Sequence, residues 1–136
     1  MSRKADPPHI LAVDDEPAIL LLVAQILGRD GILVRTATNA SQAIDHIRQD
    51  TGIAVVVIDW CMPGMNGDQL LDRLAAIRPG IRAIVLSGTY LQDVERAFSL
   101  GHVFRFLKKP SELALLLTTV RSALSEPGAG TARTAG

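Results

Sequence analysis

The chain has 136 residues and carries 14 Lys and Arg against 14 Asp and Glu, a formal net charge of zero at pH 7. That length suits one domain, which typically runs to about 100–150 residues, and it can bury a core without disulfide or metal staples. The charge balance excludes broad electrostatic binding to nucleic acid or to an anionic membrane, both of which need a basic excess. A composition of 48% apolar and 21% charged residues reads as a soluble, ordered globule. The one cysteine, Cys61, can form no internal disulfide, which fits a reducing compartment. Residues 1–8 contain no apolar signal core. The longest uncharged apolar stretch near the start, Pro17–Gly28, falls short of the roughly 20 residues that span a bilayer. The expected location is therefore cytoplasmic.

Taken in chain order, the pattern predicts strand 9–13, helix 16–29, strand 32–37, helix 39–50, strand 53–58, helix 67–77, strand 81–86, helix 89–100, strand 103–108 and helix 111–125. Gly31, Gly52, Gly80 and Gly101 each stand between a helical segment and a short apolar run, where a left-handed glycine closes a helix. Glu16-Pro17 places proline in a first turn. Asn39 with Gln42 and Thr89 with Gln92 have capping-box spacing, and Ser111 can cap the last helix. The run Ile53-Ala54-Val55-Val56-Val57-Ile58 has no polar face, so it belongs at the centre of a parallel sheet covered on both sides. Five βα repeats with right-handed crossovers make an α/β fold, a doubly wound five-stranded parallel sheet. Residues 1–8 read as an N-terminal extension, and 126–136, small and Gly-rich, as a flexible tail or linker stub.

Ligands of such sheets bind beyond the carboxyl ends of the strands. There the sequence places Asp14, Asp15 and Glu16 after the first strand, Asp59 after the third, Ser87 after the fourth, and Lys108, Lys109 and Pro110 at the fifth. Neighbouring aspartates repel unless a cation lies between them, and hard oxygen ligands suit Mg2+. A carboxylate nucleophile, a divalent metal and a lysine donor together describe phosphoryl transfer. Each residue alone has a plainer reading. An acidic pair before a helix complements its dipole, serine is common in turns, and a lysine can be a solvated charge.

Together, Val13-Asp14-Asp15-Glu16-Pro17, Ile58-Asp59-Trp60-Cys61-Met62-Pro63-Gly64-Met65-Asn66-Gly67, Leu86-Ser87-Gly88 and Phe106-Leu107-Lys108-Lys109-Pro110 resemble the receiver domain of bacterial two-component response regulators, over roughly residues 9–125. The resemblance implies a flavodoxin-like strand order of 2-1-3-4-5. It makes Asp59 the phosphoacceptor. Asp14, Asp15, Asp59 and the Cys61 backbone carbonyl become the ligands of Mg2+ (or Mn2+). Ser87 and Lys109 bind the phosphoryl group, and the bond before Pro110 is cis. A histidine kinase or phosphotransfer protein would be the donor. The domain would be a signalling module that supports its own phosphorylation and slow dephosphorylation, and not an enzyme acting on a separate substrate.

Phe106 occupies the position of the family's switch aromatic, where tyrosine is common; lacking the hydroxyl, it can switch only through burial. Cys61 and Thr89 match positions that tune decay, and neither is an acid or an amide, which implies slow hydrolysis. No histidine is placed to activate the Cys61 thiol as a nucleophile. Phe104 is expected on the same strand face as Phe106, as core. In the first helix, Ile19, Leu22, Val23, Ile26 and Leu27 share one face and are expected in the core, leaving Leu20 and Leu21 as kinase-docking candidates. Helix 89–100 and strand 103–108, with Val94, Phe98 and Arg105, form the family's output and dimer face, so a downstream protein or a homodimer could use it.

Two other readings are open. A phosphatase of the haloacid dehalogenase type needs a second Asp two residues after the nucleophile, where this chain has Cys61. A phosphorylation-independent interaction module of the same fold usually loses part of the acidic pocket, which is complete here. The chain reads either as a stand-alone receiver or as the receiver of a longer regulator. It contains no DNA-binding helix pair.

Overall fold

The computed structural model describes residues 8–62, 65–88, 101–109 and 111–125, with backbone only for Cys61, Met62, Met65 and Asn66. Its elements are β1 (His9–Val13), α1 (Pro17–Gly28), β2 (Leu33–Ala37), α2 (Ala40–Gln49), β3 (Ile53–Asp59), β4 (Cys61–Met62), β5 (Met65–Asn66), α3 (Gly67–Ile77), β6 (Arg82–Ser87), β7 (Val103–Lys108), and α4 (Leu116–Ser125) after a single 3-10 turn at Leu113–Leu115. The main sheet runs β2-β1-β3-β6-β7, every neighbouring pair parallel, which is the expected 2-1-3-4-5 order. The expected helix 89–100, with Thr89, Val94 and Phe98, lies outside the described residues, as does Pro110.

Two apolar layers sandwich the sheet. Leu11, Val13, Val56, Ile58 and Val85 pack on one side with Ala43, Ile47, Leu70, Leu71 and Leu74 of α2 and α3. Ile10, Ala12, Val55, Val57 and Ile84 pack on the other with Leu20, Val23 and Leu27 of α1 and Leu116 and Val120 of α4. Alternate residues of β3 thus point to opposite layers, and both are buried, so this strand has no polar face. Ala54 is its exposed exception: the register slips between His9–Ile53 and Ile10–Val55, and Ala54 is the extra residue.

Four kinds of local expectation are corrected: glycine conformation, the helix caps, the buried face of α1 and the register of β7. Only Gly31 and Gly101 take positive φ, 79° and 84°, among the described residues; Gly52 and Gly80 do not. Gly52 instead donates its N–H to the Asp50 carboxylate at 3.0 Å. At α2 the Asn39 side chain accepts from the Gln42 N–H as expected, but the Gln42 carbonyl oxygen reaches back to the Thr38 N–H at 2.8 Å, one residue before the cap. At the last helical segment the N-cap position falls on Glu112 and not on Ser111, without a side-chain capping bond; the Glu112 carboxylate instead accepts the Lys108 N–H at 2.8 Å.

The third correction concerns α1. Leu20, expected outside the core, is 6% exposed and packs beneath the helix; Leu22, expected inside, is 38% exposed. The segment Ala18-Ile19-Leu20-Leu21-Leu22-Val23-Ala24 is apolar all round, so periodicity cannot set its rotation. Contact with β1, β2 and α4 sets it, and buries 20, 23 and 27. The fourth concerns β7. Its register against β6 moves from Ala83–Val103 to Ile84–Arg105, so the strand carries a bulge at Phe104. Phe104 and Phe106 consequently pack in opposite layers, Phe104 beside Leu107 and Phe106 beside Val103. The Phe104 ring lies between Arg82 and Arg105, whose guanidinium carbons are 5.7 and 5.1 Å from its centroid.

At the amino-terminal rim of the sheet, Asp50 accepts from His9 Nδ1 at 2.8 Å and Arg35 Nε at 3.2 Å. Burial pushes the Asp50 carboxyl upward, but the bonds from His9, Gly52 and Arg35 outweigh it and hold the group below its ordinary value of 3.8.

Candidate functional site

The opposite rim gathers the charged residues. β1 ends at Val13, and the Asp14 N–H still bonds the Ala37 carbonyl at 3.1 Å, so Asp14 continues the ladder by one residue. Its Oδ1 accepts the Glu16 N–H at 2.9 Å, which turns the chain into α1 with Pro17 at its first position. β3 carries Asp59 as its last residue, opposite Leu86 of β6. Ser87 ends β6, beside Lys108, and its carbonyl accepts the Lys109 N–H at 2.8 Å. Each side chain therefore hangs from the end of a buried parallel strand, where the backbone has little freedom.

The carboxylates of Asp14, Asp15 and Asp59 each offer an oxygen within 4.8 Å of the others. Asp14 and Asp59 are buried, at 2% and 6% exposure, and Asp15 is exposed. Lys109 Nζ lies 3.2 Å from Asp14 Oδ2 and 3.7 Å from Asp59 Oδ2. Burial of Lys109 works to lower its pKa, yet the charges of Asp59 and Asp14, the bond to Asp14 and the charge of Glu16 together raise it above 10.5, so the ammonium is kept. Three close carboxylates against one ammonium leave an excess of negative charge in a partly desolvated site. The donors are all hard oxygens. This set fits a small divalent cation such as Mg2+.

Ser87 is 1% exposed at the same rim, and Phe106 is half-buried against the layer of α2 and α3. Cys61 follows Trp60 in β4, paired with Asn66 of β5 in a two-stranded antiparallel hairpin. The sequence reading missed the role of Trp60 and Gly67. Trp60 is 3% exposed, and its N–H and C=O bond Leu86 O at 3.2 Å and Gly67 N at 3.3 Å. The signal was present in the motif, as a bulky ring followed seven residues later by glycine, but only packing shows that the two touch.

The fold is a doubly wound α/β protein with an acidic cluster and a lysine at the carboxyl ends of its parallel strands. The family model described as response regulator receiver domain matches residues 10–121. The chain is 35% identical over 123 residues to the DNA-binding transcriptional regulator NtrC of a Bradyrhizobium species, covering 87% of this chain and 24% of that protein. It is 30% identical over 100 residues to the sporulation initiation phosphotransferase F of Bacillus subtilis, covering 73% of this chain and 80% of that protein. Among solved structures, the signal receiver domain of an HD domain-containing protein from Pseudomonas fluorescens Pf-5 matches with TM-score 0.79 at 28% identity, covering 91% of each chain. A CheY-like receiver domain protein from Methanospirillum hungatei matches at 0.77 and 29%, covering 87% of this chain and 94% of that one. The chain belongs to the response regulator receiver domain family of two-component systems. It spans about a quarter of the length of the NtrC relatives it matches. Among the described residues no helix is long and apolar enough to cross a membrane.

Proposed function

We propose that this chain is the phosphoacceptor domain of a phosphorelay, with Asp59 as the residue that takes the phosphoryl group. The observation that carries the reading is the convergence of Asp14, Asp15 and Asp59 within 4.8 Å, with Lys109 Nζ bridging Asp14 and Asp59. Mg2+, held by Asp14, Asp15, Asp59 and the Cys61 carbonyl, would offset the negative charge of the transferring group. A partner's phosphohistidine presents its phosphorus in line with an Asp59 carboxylate oxygen. The P–N bond breaks as the P–O bond to Asp59 forms, and the electron pair leaves with the imidazole. Lys109, already charged, donates to a phosphoryl oxygen without having to gain a proton. Ser87 moves toward the new anion, and Phe106 turns inward to fill the space it leaves. With Cys61 and Thr89 at the tuning positions, no carboxylate or amide orients the attacking water, so hydrolysis is slow.

Incubation with Mg2+ and acetyl phosphate or phosphoramidate tests the reading by intact mass. The expected result is one phosphate adduct, absent in Asp59→Asn and absent without metal. An unmodified chain would point instead to a phosphorylation-independent interaction module.

The donor is proposed to dock on α1. Leu20 is in the core, so the candidates become Leu21, at 61% exposure, and its neighbour Leu22. Leu21→Asp is expected to slow phosphotransfer from a histidine kinase or phosphotransfer protein while leaving modification by phosphoramidate unchanged. An equal loss with both donors would place the effect in folding and not in docking. The face including β7, with exposed Arg105, is proposed for a downstream output domain, a partner protein or a second copy.

A further inference from the structure

We infer that Trp60 and Gly67 form a steric clamp that sets the metal affinity of the site, an inference that rests on the phosphoacceptor reading above. The chain leaves β3 at Asp59 and returns to enter α3 at Gly67. The intervening residues are paired as Cys61–Asn66 and Met62–Met65. Trp60 and Gly67 close the base of this hairpin, joined by the Gly67 N–H to the Trp60 carbonyl at 3.3 Å. A methyl group at Gly67 would lie 2.9 Å from Trp60 Cε3 and 3.0 Å from Trp60 Cα. Gly67 does not have positive φ. Glycine is therefore required here for space, with the indole and its own backbone filling what a side chain would use.

The indole has no polar reason to be where it is. Its Nε1 is buried and has no hydrogen-bond partner among the described residues, a state that disfavours the placement. Packing alone fixes the ring, between Gly67 and the apolar layer that includes Ile58 and Leu71. The residue next to this clamp is Cys61, whose backbone carbonyl the family resemblance places on the metal. Mg2+ accepts ligands only in a narrow octahedral shell near 2.0–2.1 Å. A shift of a few tenths of an ångström at the hairpin base, small for the fold, is large for such a shell. Trp60 and Gly67 are positioning residues: they touch neither metal nor phosphoryl group, and act by holding the Cys61 peptide against Asp59.

The test titrates the whole chain with Mn2+ by electron paramagnetic resonance, which needs no tryptophan, and records thermal unfolding without metal in parallel. Gly67→Ala is expected to weaken Mn2+ binding about tenfold or more, as loss of a supporting contact does at other metal centres, with a much smaller change in the metal-free melting curve. Trp60→Leu, which frees the hairpin base, should weaken binding as well. Combining the two should recover part of the affinity lost in Gly67→Ala, because the methyl then meets no ring. A folded Gly67→Ala chain that binds Mn2+ like the natural one would overturn the inference. If Gly67→Ala fails to fold, Trp60→Leu carries the test, and natural affinity in that variant is equally fatal. If the natural chain itself binds no Mn2+, the phosphoacceptor reading fails and the clamp falls with it, whereas natural affinity in both variants overturns the clamp alone.

Discussion

Replacing Lys109 with alanine is expected to separate metal binding from phosphorylation. Its ammonium is paired with two buried aspartates of the site, at 3.2 Å from Asp14 and 3.7 Å from Asp59. Removing it withdraws a positive charge from the space a divalent ion would share, so Mg2+ should bind more tightly, as Coulomb's law requires. The same change removes the donor that meets the developing charge on the phosphoryl oxygens. Loss of one such preorganised donor typically lowers a rate by about 10²–10³-fold. Tighter Mg2+ binding together with slower adduct formation from phosphoramidate is a combination that a simple folding defect cannot produce. The measurement is a metal titration beside a time course of intact mass. A variant that is modified at the natural rate would remove Lys109 from the chemistry.

The second large effect lies at the far end of the sheet. Arg78, just past α3, donates Nη1 to the carbonyls of Asp50 and Ile53, at 3.2 and 2.8 Å, and Nη2 to that of Ile47 at 2.8 Å. One guanidinium therefore ties carbonyls at the end of α2 to one at the start of β3, of which that of Asp50 also accepts the Ile53 N–H at 3.3 Å. Arg78→Ala strips all of these at once and is expected to destabilise the domain by about 2–4 kcal/mol. Arg78→Lys should restore only part, since an ammonium lacks the planar fork. Ile53 and Asp59 stand at opposite ends of β3, roughly 20 Å apart at the strand rise. Mg2+ affinity and adduct formation below the melting range should therefore stay at natural values. Chemical denaturation gives the first number and metal titration the second; a variant of unchanged stability would show that the three carbonyls are solvated as readily as they are bonded.

These two residues also show how the sequence can be read. Lys109 was legible because it stands at a predicted strand end, where Lys108 and Lys109 precede Pro110, and the family resemblance selects the lysine next to the proline. Arg78 was not, because its partners are 25 to 31 positions away in sequence and are backbone atoms, which carry no residue-specific signal. The same contrast runs through the corrections. Leu20 and Leu22 exchanged places because α1 is apolar on every side, and a helix with no polar stripe has no rotation of its own. Phe104 and Phe106 were separated by a bulge that strict alternation cannot foresee. Trp60 and Gly67 stand seven residues apart in a motif otherwise read for its aspartate.

What the sequence by itself determined was the order of elements, the parallel sheet and the identity of the charged cluster, since breakers, hydrophobic period and strand-end residues are local properties. Its net charge of zero conceals that Asp14, Asp15 and Asp59 meet at one rim. Only the tertiary structure decided which face of α1 is free, on which side of the sheet each aromatic lies, and what holds the hairpin beside Asp59. Those outcomes depend on which surfaces meet when the helices close over the sheet, and close packing settles that among residues far apart in the chain.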